Sequence, residues 1–368
     1  MSNIPKLRFP EFSGEWEEKK LGECLTLLYG KDWKDKSSTK KLYPVLGTGG
    51  VISYIDEFIY DKPCVLIGRK GSINNPVFID KPFWTVDTQF YSEIHEGYSP
   101  KFLYYIFCTE NWSKHDESTG VPSLSAKNVE NTHKHIPSFP EQQKIADFLS
   151  NVDSIITTET KILKNLQKKK KALMQKLFTR QLRFKSDDGT DFPAWEEKKL
   201  GECVEILDSQ RKPIESKERA NRKGEYPYYG ASGIIDYIDD YLFEGESILL
   251  GEDGANIINR NSRLAFIATG KYWVNNHAHI MKANADNLNY FICEYLESLD
   301  YSKICAGSAQ PKLTQDVIRN LTIKAPCKEE QQKIADCLSS MDSLIQTQQK
   351  VVTTWQQRKK ALLQQMFI

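Results

Sequence analysis

From Glu141 to Phe178 the apolar residues fall on one stripe: Ile145, Phe148, Val152, Ile155, Ile162, Leu166, Leu173 and Leu177. Their steps of three, four and seven are the spacing of a heptad seam, which predicts a long helix packed in a coiled coil. From Glu330 to Phe367 the stripe returns as Ile334, Cys337, Met341, Leu344, Val351, Trp355 and Leu362. At ~1.5 Å per residue each helix would be on the order of 55 Å long. EQQKIADFLSNVDSII, from Glu141, is echoed by EQQKIADCLSSMDSLI, from Glu330, at a constant offset of 189. The chain thus writes one helix twice, and internal duplication frames every other reading.

The segments before the helices repeat too. WEEKKLGEC occurs at Trp16 and again at Trp195, an offset of 179. YPVLGTGGVISYID, from Tyr43, is matched by YPYYGASGIIDYID from Tyr226, at 183. Phe102 to Phe107 corresponds to Tyr290 to Tyr295 at 188, and the Gly120 segment is echoed from Gly307. A growing offset over a shared framework places insertions in loops. Each unit reads as an amphipathic helix or turn over WEEKKLGE, then strands at Cys24 to Tyr29 and Cys203 to Leu207. Short β-branched and aromatic runs follow (Val51 to Ile59, Val65 to Ile67; Ile234 to Leu242, Ile248 to Leu250), and helices at Pro100 to Trp112 and Leu288 to Leu299. The expected fold is α+β: two mixed domains, each followed by a long helix. The boundaries are 1–140 for the first domain, 141–180 for its helix, 181–190 for a linker, 191–329 for the second domain and 330–368 for the last helix.

A duplicated unit that closes by a pseudo-two-fold axis pairs its two helices antiparallel. The seam is interrupted by Glu159 and Lys169, and equivalently by Gln348 and Arg358. One antiparallel register opposes Glu159 to Arg358 and Lys169 to Gln348, and polar positions of this kind commonly fix register.

Composition then narrows the function. In 368 residues, 40% are hydrophobic and 27% charged, as in a soluble globular protein of two domains. No apolar run approaches the ~20 residues of a membrane span, and the first residues lack a secretory h-region, so a cytoplasmic location is expected. The eight cysteines form no CxxC pair and are expected to be reduced and structural. Net charge is +1, but from Lys161 to Lys185 there are ten Lys or Arg and no acid. Such a run is either a solvated helix face or a phosphate-facing stripe. Enzymatic signatures fail one by one. Asn74-Asn75-Pro76-Val77-Phe78 lacks the second proline and the cofactor loop of an amino-methyltransferase. Gly68-Arg69-Lys70-Gly71-Ser72 lacks P-loop spacing, and His133/His135 and His277/His279 lack further metal ligands. No catalytic residue, metal site or cofactor is expected.

The combination of motifs resembles the specificity subunits of type I restriction–modification enzymes. It is carried by both WEEKKLGE copies, Gly68-Arg69-Lys70-Gly71-Ser72, Val274-Asn275-Asn276-His277-Ala278-His279, Gln310-Pro311-Lys312-Leu313 and both EQQKIAD helices. In the first copy Pro122-Ser123-Leu124 departs from the Gln-Pro-Lys-Leu form. The resemblance implies two target-recognition domains, each reading half of a split, asymmetric double-stranded DNA site, with the helices as a ruler. It also implies docking of two methyltransferase subunits and two restriction–translocase subunits, to which methyl donor, ATP and Mg²⁺ would belong. Base edges in the major groove require paired donors and acceptors on loops. The candidates are Lys31, Lys34, Arg69, Lys70, Asn74 and Gln89 in the first domain. In the second they are Arg211, Lys212, Asn256, Asn259, Arg260, Arg263 and Asn276. The competing readings are a non-catalytic helical scaffold that reads no DNA and an enzyme with chemistry hidden in the loops. Framework identity with divergent loops favours two readers of different sequences.

Overall fold

The computed structural model describes residues 3–305 and 311–368; the echo beginning at Gly307 and the Gln310 of the second-copy motif lie outside them. The chain divides into two compact units, Met1–Lys161 with Gln349–Ile368, and Ile162–Gln348.

The first unit runs β1 (Glu17–Lys20), α1 (Leu21–Cys24), β2 (Leu25–Tyr29), β3 (Tyr43–Gly47), β4 (Gly50–Ile55), β5 (Cys64–Gly68), β6 (Val77–Ile79), β7 (Trp84–Thr85), β8 (Gln89–Ile94), α2 (Pro100–Thr109), α3 (Ala126–Glu130) and β9 (His133–Ile136), and enters α4 (Phe139–Phe178). Its strands form a sheet β2-β8-β5-β6, a smaller sheet β4-β3-β7, and the pair β1-β9. The second unit runs β10 (Glu196–Lys199), α5 (Leu200–Cys203), β11 (Val204–Ile206), α6 (Ser216–Asn221), β12 (Lys223–Gly230), β13 (Gly233–Ile238), β14 (Phe243–Glu244), β15 (Ser247–Gly251), α7 (Asn256–Asn259), β16 (Ala265–Ala268), β17 (Lys271–Val274), β18 (Ala278–Ala283), α8 (Asn289–Ser298), α9 (Gln315–Arg319) and β19 (Thr322–Ala325), then α10 (Lys328–Met366). Its sheets repeat the plan as β11-β18-β15-β16, β13-β12-β17-β14 and β10-β19.

WEEKKLGE differs from its sequence reading. Glu17–Lys20 and Glu196–Lys199 are strands, and only LGEC is helical. The helical preference of Glu and Lys yields to an antiparallel ladder with β9 or β19 that satisfies the backbone. Cys24 and Cys203 close these turns fully buried, and none of the eight cysteines is in a disulfide. Burial pushes the Cys24 thiol up to about 11 and Cys64 up to about 12, so both stay protonated and unreactive near neutrality.

The first two residues of the shared EQQ motif face inward, and the third is exposed. Glu141 is 1% exposed and accepts from Arg8 Nε and Nη2, both at 2.8 Å, and from Trp16 Nε1 at 3.3 Å. Glu330 is 0% exposed and accepts from Arg183 Nε and Nη2 at 3.1 and 2.7 Å and from Trp195 Nε1 at 3.0 Å. Next to them Gln142 accepts from the Ser99 N–H at 2.9 Å and donates to Pro137 O at 3.0 Å. Gln331 does the same with Leu288 N–H and Pro326 O, at 3.1 and 3.0 Å. Each long helix is therefore bolted to its sheet-bearing domain at its first turn. Arg8 and Arg183 sit in equivalent Leu-Arg-Phe segments, so part of the stretch from 181 to 190 belongs to the repeated framework.

Within each unit the helix segments pair antiparallel. In the first, Asp153 of α4 meets Lys359 of α10 at 2.6 Å, while Ile145 and Leu149 share a core with Leu362 and Met366. In the second, Lys170 meets Asp342 at 2.6 Å, while Met174 and Leu177 share a core with Ile334 and Leu338. Both ion pairs lie about five residues, or ~7 Å of axial slide, from the register that opposes Glu159 to Arg358. Asp153 and Lys170, with their repeats Asp342 and Lys359, mark the register instead. The buried stripe also shifts: Leu149, Leu163 and Met174 are buried, whereas Ile162 and Leu344 are exposed.

Candidate nucleic-acid interface

In the first unit, loops from distant parts of the sequence meet where β2, β3, β5 and β8 begin or end. The Gly30 and Lys31 amides donate to Gln89 O and Thr85 O, at 3.2 and 2.9 Å. A Cβ on Gly30 would lie 2.1 Å from Val86 O, so only glycine admits this approach. The Val86 amide donates to Leu46 O at 3.2 Å, those of Arg69 and Lys70 to Thr88 O at 2.8 and 3.1 Å, and Leu124 N–H returns to Arg69 O at 2.9 Å. Trp84 Nε1 donates to Lys31 O at 2.9 Å. The backbone of the cluster is thereby pinned while its polar side chains differ from those of the other copy.

The second unit builds the same cluster on the same scaffold. Trp273 Nε1 donates to Lys212 O at 2.6 Å, which makes Lys31 and Lys212 structural equivalents. The Glu252 amide donates to His277 O and the Leu313 amide to Glu252 O, at 2.9 and 2.8 Å, and Asn275 N–H reaches Tyr229 O at 3.0 Å. Here the interior is ionic. His279, 1% exposed, meets Asp208 at 2.5 Å through Nδ1 and Leu313 O at 2.7 Å through Nε2. Burial, the largest single influence, would raise the Asp208 carboxyl, but the bond and charge of His279, the Ile280 amide and Arg211 together outweigh it and hold the group below its ordinary value. Arg211 donates to Glu252 at 3.0 Å and to Ala278 O at 2.7 Å.

The candidate residues separate by environment. Lys31, Lys34, Lys70, Lys212 and Asn276 are exposed on these loops, and Asn259 is exposed at the end of α7. Arg69 is half-buried, its guanidinium 5.4 Å from the Tyr29 ring centre, and donates to Asp87 O at 3.1 Å. Asn74, also exposed, uses its side-chain oxygen to accept from Trp112 N–H at 2.8 Å. Asn256 closes its own loop against Ser262, and Arg211 is consumed by Glu252, Asp208 and backbone. Arg260 pairs with Glu297 at 2.8 Å and Arg263 with Glu294. Gln89 is 2% exposed and accepts from Thr85 Oγ1 at 2.8 Å, so it supports β8 and is not displayed at the surface. Sequence reasoning passed over the β3–β4 and β12–β13 hairpins. Val51, Ile52 and Tyr54, and their repeats Ile234, Ile235 and Tyr237, are each about half exposed. Gly50 and Gly233 turn these hairpins at φ +112° and +124°. Apolar residues repeated at the same positions of both copies were legible in the sequence, and the structure adds that they are exposed. Among the described residues no group of three or more His, Cys, Asp or Glu could hold a metal ion, and no helix is long and apolar enough to cross a membrane.

A family model described as the type I restriction modification DNA specificity domain matches residues 13–168 and again 194–354. A putative type I restriction enzyme specificity subunit of Haemophilus influenzae is 34% identical over 147 residues, 40% of this chain and 37% of that relative. The MjaVIII specificity subunit of Methanocaldococcus jannaschii is 26% identical over 97% of this chain and 92% of its own length. The crystal structure of a type I restriction–modification S subunit from M. genitalium has the same fold, with a TM-score of 0.68 at 17% identity over 99% of both chains. Two matched domains on one duplicated framework establish that the chain belongs to the type I restriction modification DNA specificity family.

Proposed function

We propose that this chain is the sequence-reading, non-catalytic subunit of a cytoplasmic type I restriction–modification complex. Each loop cluster reads one half of a bipartite, asymmetric site on double-stranded DNA, and α4 with α10 sets the gap between the halves. The observation that carries this is the pair of loop clusters, pinned by equivalent backbone and indole hydrogen bonds but bearing different side chains. A common scaffold with exchanged surface chemistry suits two readers of different sequences. Lys31, Lys34, Arg69, Lys70, Lys212, Asn259 and Asn276 are the proposed DNA contacts. Arg211, Asn256, Arg260 and Arg263 act on the shape of the second reading surface through their internal partners. Two methyltransferase subunits dock on the helices, and two restriction–translocase subunits complete the assembly. The domains are 1–140 and 191–329, with 141–180 and 330–368 as the spacer.

Methylation mapping of DNA from cells that express the chain with its methyltransferase partner tests the reading. A single split motif with a fixed gap is expected. Assembly without any motif would leave a scaffold in place of a reader.

A further inference from the structure

The two clusters carry opposite charge at one equivalent place. Arg69-Lys70 follows the end of β5, and Glu252-Asp253 follows the end of β15. Each pair lies beside the same neighbour. Leu124 N–H bonds Arg69 O and Leu313 N–H bonds Glu252 O, while Lys70 bridges to Ser123 and Asp253 to Lys312. A carboxylate facing DNA is repelled by phosphate, so its placement calls for a specific partner. Glu252 is accounted for internally, by Arg211 at 3.0 Å and Lys312 at 3.3 Å, with its side chain only 13% exposed. Asp253 is different. Its side chain is 37% exposed, and it meets His277 Nδ1 at 2.8 Å, the ring itself being 52% exposed. One imidazole N–H orients a carboxylate that has about four acceptor sites and leaves most of them open.

We propose that Asp253, oriented by His277, reads a cytosine in the half-site of the second unit by accepting from its exocyclic N4 amine. The inference rests on the DNA-reading function proposed above. The choice of base follows from the major-groove edges. Guanine offers only acceptors there and thymine offers an acceptor beside a methyl, and both repel a carboxylate. Adenine places N7 beside its donor, whereas cytosine offers the amine alone. In the first unit Lys70 occupies the matching place and suits guanine, whose O6 and N7 accept from a cation.

The test is methylation mapping with the chain co-expressed with its methyltransferase partner, as wild type, D253N, D253A and K70A. The wild type should give a split motif with a G·C pair in the half-site that D253N alters. Asn is nearly isosteric and pairs with adenine N6 and N7, so D253N should move that position towards adenine or relax it roughly tenfold or more. D253A should relax it to all four bases, and K70A should alter only the other half-site. The unaltered half of each variant's motif reports that the complex is folded. A wild-type motif left intact by D253N and D253A, or altered at a position that is not G·C, would overturn the role of Asp253 and leave the reader function standing. No wild-type motif would remove both.

Discussion

The pair Glu330–Arg183 gives the sharpest test of how the helices are held. Glu330 is 0% exposed, whereas the Arg183 side chain is 30% exposed and also donates to Phe192 O and Pro193 O. Removing one partner of a buried pair costs ~3–5 kcal/mol because the other is left uncompensated. The two removals should therefore differ. In E330Q the stranded guanidinium reaches water, and the amide oxygen still accepts from Trp195 Nε1, so a loss of about 2 kcal/mol is expected after solvent screening. In R183M a fully buried carboxylate keeps only the Trp195 N–H, and about 3–4 kcal/mol is expected. The double variant should be less destabilised than the sum, with a coupling energy of about 1–2 kcal/mol. Urea unfolding of the four proteins, followed by tryptophan fluorescence and far-UV circular dichroism, measures the cycle. Coupling under about 0.3 kcal/mol, or E330Q more damaging than R183M, would refute the clamp.

Three further outcomes follow from the loops. K70A should relax one base position in the half-site read by the first unit and leave the slope of log affinity against log salt nearly unchanged; equal weakening of all sites with a slope reduced by about one would make Lys70 a phosphate contact. G30A should destabilise the first unit by more than the ~1 kcal/mol of an ordinary glycine substitution, because its Cβ meets Val86 O; an unchanged unfolding midpoint would contradict the close approach. Asp56 accepts from Ser37, Thr39 and the Lys40 and Lys41 amides, and the Ser37 hydroxyl leads in holding its pKa down to about 2. A depressed carboxylate stabilises fully above its ordinary value and loses that contribution as pH falls through about 2. Amide exchange at Lys40 and Lys41 should therefore stay protected down to about pH 4 and lose protection towards pH 2. D56N should show weakened protection throughout, and an equal pH profile for the two proteins would dismiss the role of Asp56.

Repetition made the architecture legible before any coordinates. EQQKIAD and its echo announced the two helices, and their heptad spacing announced antiparallel pairing once duplication was recognised. The register escaped because it depends on which polar side chains reach across. Asp153 and Lys359 lie off the apolar stripe, and only the packed pair shows them meeting. The same limit separates the site residues. Gln89, Arg211 and Lys70 look alike in sequence, as polar residues beside strands. Gln89 is buried against Thr85, four residues back, and Arg211 is spent on Glu252, forty-one residues on, while Lys70 stays exposed, and only the folded packing separates those outcomes. Glu141 and Glu330 show the converse. As charged residues opening two long Lys-rich helices they carry no sign of burial in the sequence, yet they are among the most buried charges of the described residues.

The duplication also leads to a prediction about the last residues of the sequence. Leu7 N–H bonds Gln365 O at 2.9 Å in the first unit, and Leu182 N–H bonds Lys176 O at 3.1 Å in the second, which are equivalent positions. Phe367 is 8% exposed, stacks on Phe102 at 5.5 Å and meets Trp16 edge-on at 6.3 Å. Its repeat Phe178 meets Phe291 edge-on at 5.8 Å. The core of the first unit is thus finished by the end of α10, more than three hundred residues along the chain. F367A should cost about 3 kcal/mol, the usual range for emptying a buried phenylalanine site, and the loss should fall on the first unit. Hydrogen exchange resolves where the damage lies. Faster exchange in β2 and β8, with β11 and β18 unchanged, is expected. Faster exchange confined to the last turn of α10 would show Phe367 to be a fraying helix end, with no share in the stability of the domain that begins the chain.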